Sequence, residues 1–332
     1  MQDKRSNLFF LVLILLTILL FITDILLGPV KISIADFFNT TSPSNTISSI
    51  LFELRLTKAI TAIAAGAGLS ISGLLLQTLF KNPLAGPYTL GVTSGASLGA
   101  AIAFMSGFYF SNTYLQTISV FALSGIGSFG VLLLIAFISS RIKNIVIILI
   151  VGLLLGHLLG ALESLLQFFS RPEQLQSFAI WGMGSFSQTS LSQSIWMLLI
   201  IIILFFSSLF FSKPLNSLLL GHEKALLIGT NTKKVQNLII AIAGIIATLI
   251  TALCGPIAFI GFIAPHIARW LFKTYNHKTL LHASFFIGCV LALFCDIISQ
   301  NLFSSLLIPV NIIASIIGAP IIIWIIVKRI SI

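Results

Sequence analysis

Charge is what this sequence has least of. Of its 332 residues, eight are Asp or Glu, charged residues of both signs make up 8%, and apolar residues make up 58%. The mean hydropathy is +1.12. A water-soluble fold of this length cannot enclose so much apolar surface, so the surrounding solvent is lipid. Cysteine is also scarce. Cys254, Cys289 and Cys295 are odd in number, form no C-x-x-C pair and sit in apolar stretches. That excludes a disulfide framework or a zinc site and leaves them as packing residues. No G-x-x-x-x-G-K-[ST] stretch occurs, so the chain cannot hydrolyse ATP by the phosphate-loop route. Neither H-E-x-x-H nor a hydrolase-like arrangement of Ser, His and Asp is found, so no catalytic residue and no metal ligand is expected. The formal charge of +10 comes from Lys and Arg scattered between apolar runs, without the basic cluster beside stacking aromatics that nucleic acid requires.

What the sequence does have is long runs of Leu, Ile and Phe. About 20 apolar residues cross a hydrocarbon core of about 30 Å as a helix. Helices and closed barrels are the only spanning options, and the runs lack the two-residue alternation of a barrel strand. The fold class is therefore all-α: a multi-pass membrane protein forming one transmembrane domain over residues 1–332. Ten spans are expected, near 8–28, 57–80, 90–107, 116–139, 146–168, 191–211, 236–254, 261–272, 280–301 and 309–328. The third and eighth are short and interrupted by Gly or Pro. Lys4-Arg5 followed by Leu8 to Phe21 has a signal-like shape, but no small-x-small cleavage site follows, so it reads as an uncleaved first span. With the N-terminus inside, only Lys31, Arg55, Lys58 and Arg171 of the 18 basic residues fall outside. That asymmetry follows the preference of Lys and Arg for cytoplasmic loops and places both termini in the cytoplasm.

Three stretches stand out. The first runs from Arg55-Leu-Thr-Lys58 through Ala64-Ala-Gly-Ala-Gly to Asn82-Pro83-Leu84-Ala85-Gly86-Pro87. Ala62, Gly66 and Ser70, with Ala65 and Gly73 beside them, let helices approach closely in lipid. Pro83 stops the incoming helix. Non-helical backbone at that depth is tolerated where protein shields it or where it lines a watery path. The second is Cys254-Gly255-Pro256-Ile257-Ala258-Phe259-Ile260-Gly261, continuing to Pro265-His266 and Arg269. The third is Ile317-Gly318-Ala319-Pro320, then Trp324 and Lys328-Arg329. In this order, and with ten spans, the chain resembles the FecCD-type permeases, the membrane subunits of ABC importers for iron–siderophores, haem and cobalamin.

The resemblance implies a homodimer in a bacterial cytoplasmic (inner) membrane, with the path along the dimer axis. Two copies of a separate cytoplasmic subunit would use ATP, and this chain would bind no cofactor. An extracytoplasmic substrate-binding protein would dock outside, with its acidic residues on Arg55 and Lys58. Gln300, four residues after Asp296, stands where some members carry a third basic residue. Asn82 and Leu84 match a cytoplasmic gate, and the turn at Lys143 and Asn144 a second one. The loop at about 213–236 resembles the family's coupling loop through Gly221, His222, Glu223, Lys224, Ala225 and Gly229. Spans two to five and seven to ten would form related halves of opposite orientation.

The fifth span carries a pattern of its own. At about 100° per residue, Gly156, His157, Gly160, Glu163, Ser164 and Gln167 share an arc of about 120°, with Leu and Phe on the other faces. An ionisable group at mid-bilayer costs about 2.5–3.5 kcal/mol on insertion scales, so the arc should face protein or water and line the translocation path. Six residues separate His157 from Glu163, too far round the arc for a direct bond. Hydrogen bonding to neighbouring helices is the competing account. The rival function is a secondary transporter driven by an ion gradient through Glu163, His157 and Asp296. Asp24 and Asp296 are expected to reach the outer interface, and His266 to play a structural part at a helix start.

Overall fold

The computed structural model describes residues 2–28, 50–105, 113–142, 144–301 and 308–330. Among these residues there is no strand, and thirteen α-helices account for most of the chain. In order they are α1 (Gln2–Leu26), α2 (Thr57–Phe80), α3 (Val92–Met105), α4 (Thr113–Arg141), α5 (Ile145–Phe168), α6 (Pro172–Gly182) and α7 (Leu191–Phe210). They continue as α8 (Ser212–Leu219), α9 (His222–Leu227), α10 (Thr232–Cys254), α11 (Ile260–Phe272), α12 (His277–Asn301) and α13 (Val310–Ile330). A π-helical turn, Ile50–Leu56, leads into α2.

Ten of these helices coincide with the ten expected spans. Among the described residues, seven helical stretches are long and apolar enough to cross a membrane, and α3, α11 and the Val310–Trp324 stretch of α13 are shorter apolar helices. The sequence reading missed α6, which is short and lies between two spans. Pro172 at its first turn and Gln174 Oε1, which accepts from Arg171 N at 3.0 Å, start it, and it buries Phe178 and Trp181.

The bundle is built around α2, which packs on α7, α10, α11 and α12. Its apolar window is 89% buried. Small residues make this possible. A Cβ at Gly66 would collide with the Gly288 carbonyl of α12, and one at Gly73 with the Gly261 carbonyl of α11. Ser70 and Ser72 donate to Gly66 O at 2.7 Å and Ala243 O at 3.2 Å, so neither hydroxyl is left unpaired in the interior. Cys254, Cys289 and Cys295 are buried free thiols.

A repeat is visible in the packing. Helices α2 to α5 have 24, 14, 29 and 24 residues, and α10 to α13 have 23, 13, 25 and 21. Helix α2 packs on α12 as α10 packs on α4, and α3 and α11 each pack on the helix that follows. This reciprocal arrangement suits two related halves.

Candidate functional site

The polar side chains of interest gather at the two ends of α2 and along α5. At the first end, Arg55 projects from the π turn and donates through Nη1 to Ile25 O at 3.0 Å and Leu26 O at 2.9 Å. A cation on the last carbonyls of α1 satisfies groups that have no intrahelical partner and opposes the helix dipole. Lys58 Nζ lies 3.0 Å from Asp296 Oδ2. Gln300 Nε2 donates to Asp296 Oδ2 at 2.8 Å and to Asp24 Oδ1 at 2.9 Å. Arg55 and Lys58 are only 5% and 7% exposed.

The two expected docking residues therefore sit together and are both engaged internally. They line a cavity of about 570 Å³, together with Glu53, Gln188, Thr189 and Gln300. Asp24 and Asp296 depart from expectation. They do not reach the interface but are buried: Lys58 of α2 pairs with Asp296, and Gln300, one turn on from Asp296, bridges it to Asp24 of α1. A buried carboxylate survives where such partners exist.

At the other end, Lys81 adopts a left-handed conformation and closes α2. The Asn82–Leu84 turn then folds on itself, with Leu84 N donating to Asn82 Oδ1 at 2.9 Å and Ala85 N to Asn82 O at 3.1 Å. His266 Nε2 is 2.9 Å from Pro83 O. A carbonyl only accepts, so that nitrogen carries the proton. Arg269 Nη1 donates to Gln77 Oε1 at 2.6 Å, and Gln77 Nε2 to Phe262 O at 3.2 Å. The second stretch singled out in the sequence thus holds the end of the first. Leu84 itself points outward, 43% exposed. Asn144 caps α5, its Oδ1 accepting from Val146 N at 3.0 Å; Lys143 lies outside the described residues.

The expected coupling loop is a pair of short helices, α8 and α9. Gly221 (φ 108°) turns the chain between them and Gly229 (φ 84°) ends the hairpin, both in conformations that favour glycine. Leu215 and Ala225 anchor the hairpin on the bundle side, while Glu223, Lys224, Leu226, Leu227 and Ile228 face outward. His222 opens α9, and its side chain lies outside the described residues. The Gly221 Cβ position is 3.7 Å from Lys81 Nζ, which brings the hairpin to the end of α2.

Along α5 the arc divides. Ser97 of α3 donates to Glu163 Oε2 at 2.7 Å, and Gln167 donates to Glu163 Oε1 at 3.0 Å. Gly156 lies against Ser94 of α3. His157 and Ser164 are exposed, Ser164 donating to Gly160 O at 2.9 Å, and nothing lies within 4 Å of the Gly160 Cβ position. Sequence reasoning found that Glu163 must face protein or water. It could not name Ser97, one of many small polar residues in the third span.

Among the described residues, ten apolar helices, one of them a buried small-residue helix with polar structure at both of its ends, define a polytopic membrane permease. The FecCD transport family model matches residues 15–328. The chain belongs to that family. It is similar to the molybdate import system permease protein of Haemophilus influenzae, at 32% identity over 82% of this chain and 79% of that one. It is also similar to the hemin transport system permease protein of Yersinia pestis, at 29% identity over 96% and 94%. The vitamin B12 import system permease protein of Escherichia coli O157:H7 is 30% identical over 98% and 97%. A solved structure described as an inward-facing metal-chelate type ABC transporter superposes with a TM-score of 0.85 at 28% identity, covering 97% of this chain and 99% of that one.

Proposed function

We propose that this chain is the permease subunit of an ABC importer that moves a metal chelate, an iron–siderophore, haem or cobalamin, into the cytoplasm of a bacterial cell. Two copies form the path, and a separate ATPase, also in two copies, binds the α8–α9 hairpins. The observation that carries this reading is the hairpin itself. It presents Leu226, Leu227 and Ile228 beside Glu223 and Lys224, an apolar patch rimmed by charge at the end of α2. Relatives named for hemin and vitamin B12, and a structural neighbour named for metal chelates, favour that cargo class. The relative named for molybdate makes a small oxyanion the competing cargo.

The distribution of Lys and Arg supports the orientation. Lys81, Lys224, Arg269 and Lys278 lie at the hairpin end of the bundle, where the cytoplasm would be. At the opposite end, the cavity bordered by Arg55, Lys58 and Gln300 would receive the binding protein, whose carboxylate must compete with Asp296 for Lys58. Along the dimer axis, His157, Gly160 and Ser164 would line the path. Glu163 and Gln167, held against α3, would stand at its edge.

Proteoliposomes holding this chain, its cognate ATPase and its binding protein test the reading with ferric siderophore, haemin, cobalamin and molybdate in turn. Uptake of one chelate that stops when the ATPase is omitted supports it. Uptake of molybdate alone keeps the importer and changes the cargo. Uptake that persists without the ATPase and follows a proton or sodium gradient overturns it in favour of a transporter built on Glu163 and His157.

A further inference from the structure

Between the hairpin and the Asn82–Leu84 turn lies a polar chain that no sequence motif announced. His277 opens α12 and is buried, 1% exposed. Its backbone N–H and its Nδ1 both lie 2.8 Å from Asn216 Oδ1 on α8. Its Nε2 lies 2.7 Å from Thr78 Oγ1 in the last turn of α2. The Asn216 amide is oriented by its own Nδ2, which donates to Asn276 Oδ1 at 3.3 Å. Because Asn216 Oδ1 only accepts, Nδ1 carries the proton, and in the neutral ring Nε2 accepts from Thr78. The Thr78 hydroxyl is also 2.8 Å from Leu74 O, so one proton has two acceptors.

We propose that His277 is the link that carries movement of the α8–α9 hairpin to the Asn82–Leu84 turn, a positioning residue that joins Asn216 to Thr78 across three helices. The proposal rests on the importer reading. Three features of the geometry support it. Leu215 and Leu218 are buried and Ser217 Oγ lies 2.8 Å from Thr230 Oγ1, so α8 and the end of the hairpin form one unit. Asn216 is the polar hook of that unit on the bundle. Beyond Thr78, a single helical turn leads to Lys81 and the Asn82–Leu84 turn, and Gln77 and Pro83 in the same segment are held by Arg269 and His266. A pull on α12 and α8 therefore reaches the turn through hydrogen bonds that a packed apolar contact would not direct. A cavity of about 260 Å³, bordered by Thr78, Leu219, Tyr275 and His277, leaves room for the link to rearrange.

The test uses the permease–ATPase complex in lipid nanodiscs with a spin label at Leu84→Cys, and measures the distance between the two copies with and without ATP. In the parent complex, ATP shifts that distance. In Thr78→Val, which keeps the volume and removes only the hydroxyl, the ATPase still assembles and hydrolyses ATP while most of the shift is lost. Asn216→Ala gives the same loss, and Asn216→Asp, which keeps the acceptor for both His277 donors, restores the shift. The Thr78→Val/Asn216→Ala double variant loses no more than either single variant, because both act through one ring. A full ATP-driven shift in Thr78→Val, or additive losses in the double variant, overturns the link while leaving the importer intact. A parent complex that binds no ATPase, or whose turn ignores ATP, overturns both. Because Thr78→Val is near-isosteric, the test survives if His277→Gln fails to fold.

Discussion

Helices α2 and α5 are both 24 residues long, and α5 is the more apolar, yet 89% of the α2 window is buried against 11% for α5. In water the order would be reversed. In lipid, apolarity gives no reason to leave the solvent, and what draws helices together is close approach and satisfied polar groups. Helix α2 supplies Gly66, Gly73 and Ser70; α5 turns Leu and Ile faces outward and keeps one polar edge on α3. The helix that looks most like a core is the periphery, and the small-residue helix is the centre.

The sharpest way to break this comparison is to add a side chain to each helix. Gly73→Leu drives atoms into the Gly261 carbonyl, and because backbone cannot yield, the loss should exceed the about 1–3 kcal/mol usual for overpacking and abolish the monodisperse protein. Gly160→Ala on α5 meets nothing within 4 Å and should leave the detergent melting temperature unchanged. The next effect comes from the buried pair at the outer end of α2. Lys58→Met strands Asp296 and should cost about 3–5 kcal/mol, whereas Lys58→Met with Asp296→Leu should recover most of it. Melting of the purified single and double variants decides this.

On α5, Glu163→Ala removes the partner of Ser97 and Gln167, and a loss of about 1–3 kcal/mol is expected; His157→Ala, on the exposed side, should show none. Leu227→Ser on the hairpin should also change stability little and act on binding instead. That side chain is 87% exposed, so the change should stay within about 0.5 kcal/mol while weakening capture of the ATPase in a pull-down.

The helices were legible because lipid forces each apolar run of sufficient length into the same element, and α6 was not, because a short amphipathic segment carries no such constraint. The small residues of α2 announced close packing, and Gly66 and Gly73 supplied it. The partners of polar groups were the unreadable part. Asp24, Lys58 and Asp296 come from three separate helices, and only the packing of α1 and α2 on α12 brings them together. The same holds for His277, whose two partners lie on α8 and α2. Arg55 and Lys58 were found by likeness to a docking pair. Their burial adds that any docking acid meets side chains that already have internal partners, Arg55 on the end of α1 and Lys58 on Asp296.

The central claim is that the exposed polar edge of α5 faces a watery path between two copies, while α2 stays sealed. Single cysteines at His157, Ser164 and Ser70 in the assembled complex test it most directly, by their reaction with a charged, membrane-impermeant thiol reagent. Fast labelling at positions 157 and 164, slowed by bound cargo, with none at position 70, is the expected result. Labelling at 157 and 164 by a lipid-soluble reagent alone would put that edge of α5 in lipid and contradict the account.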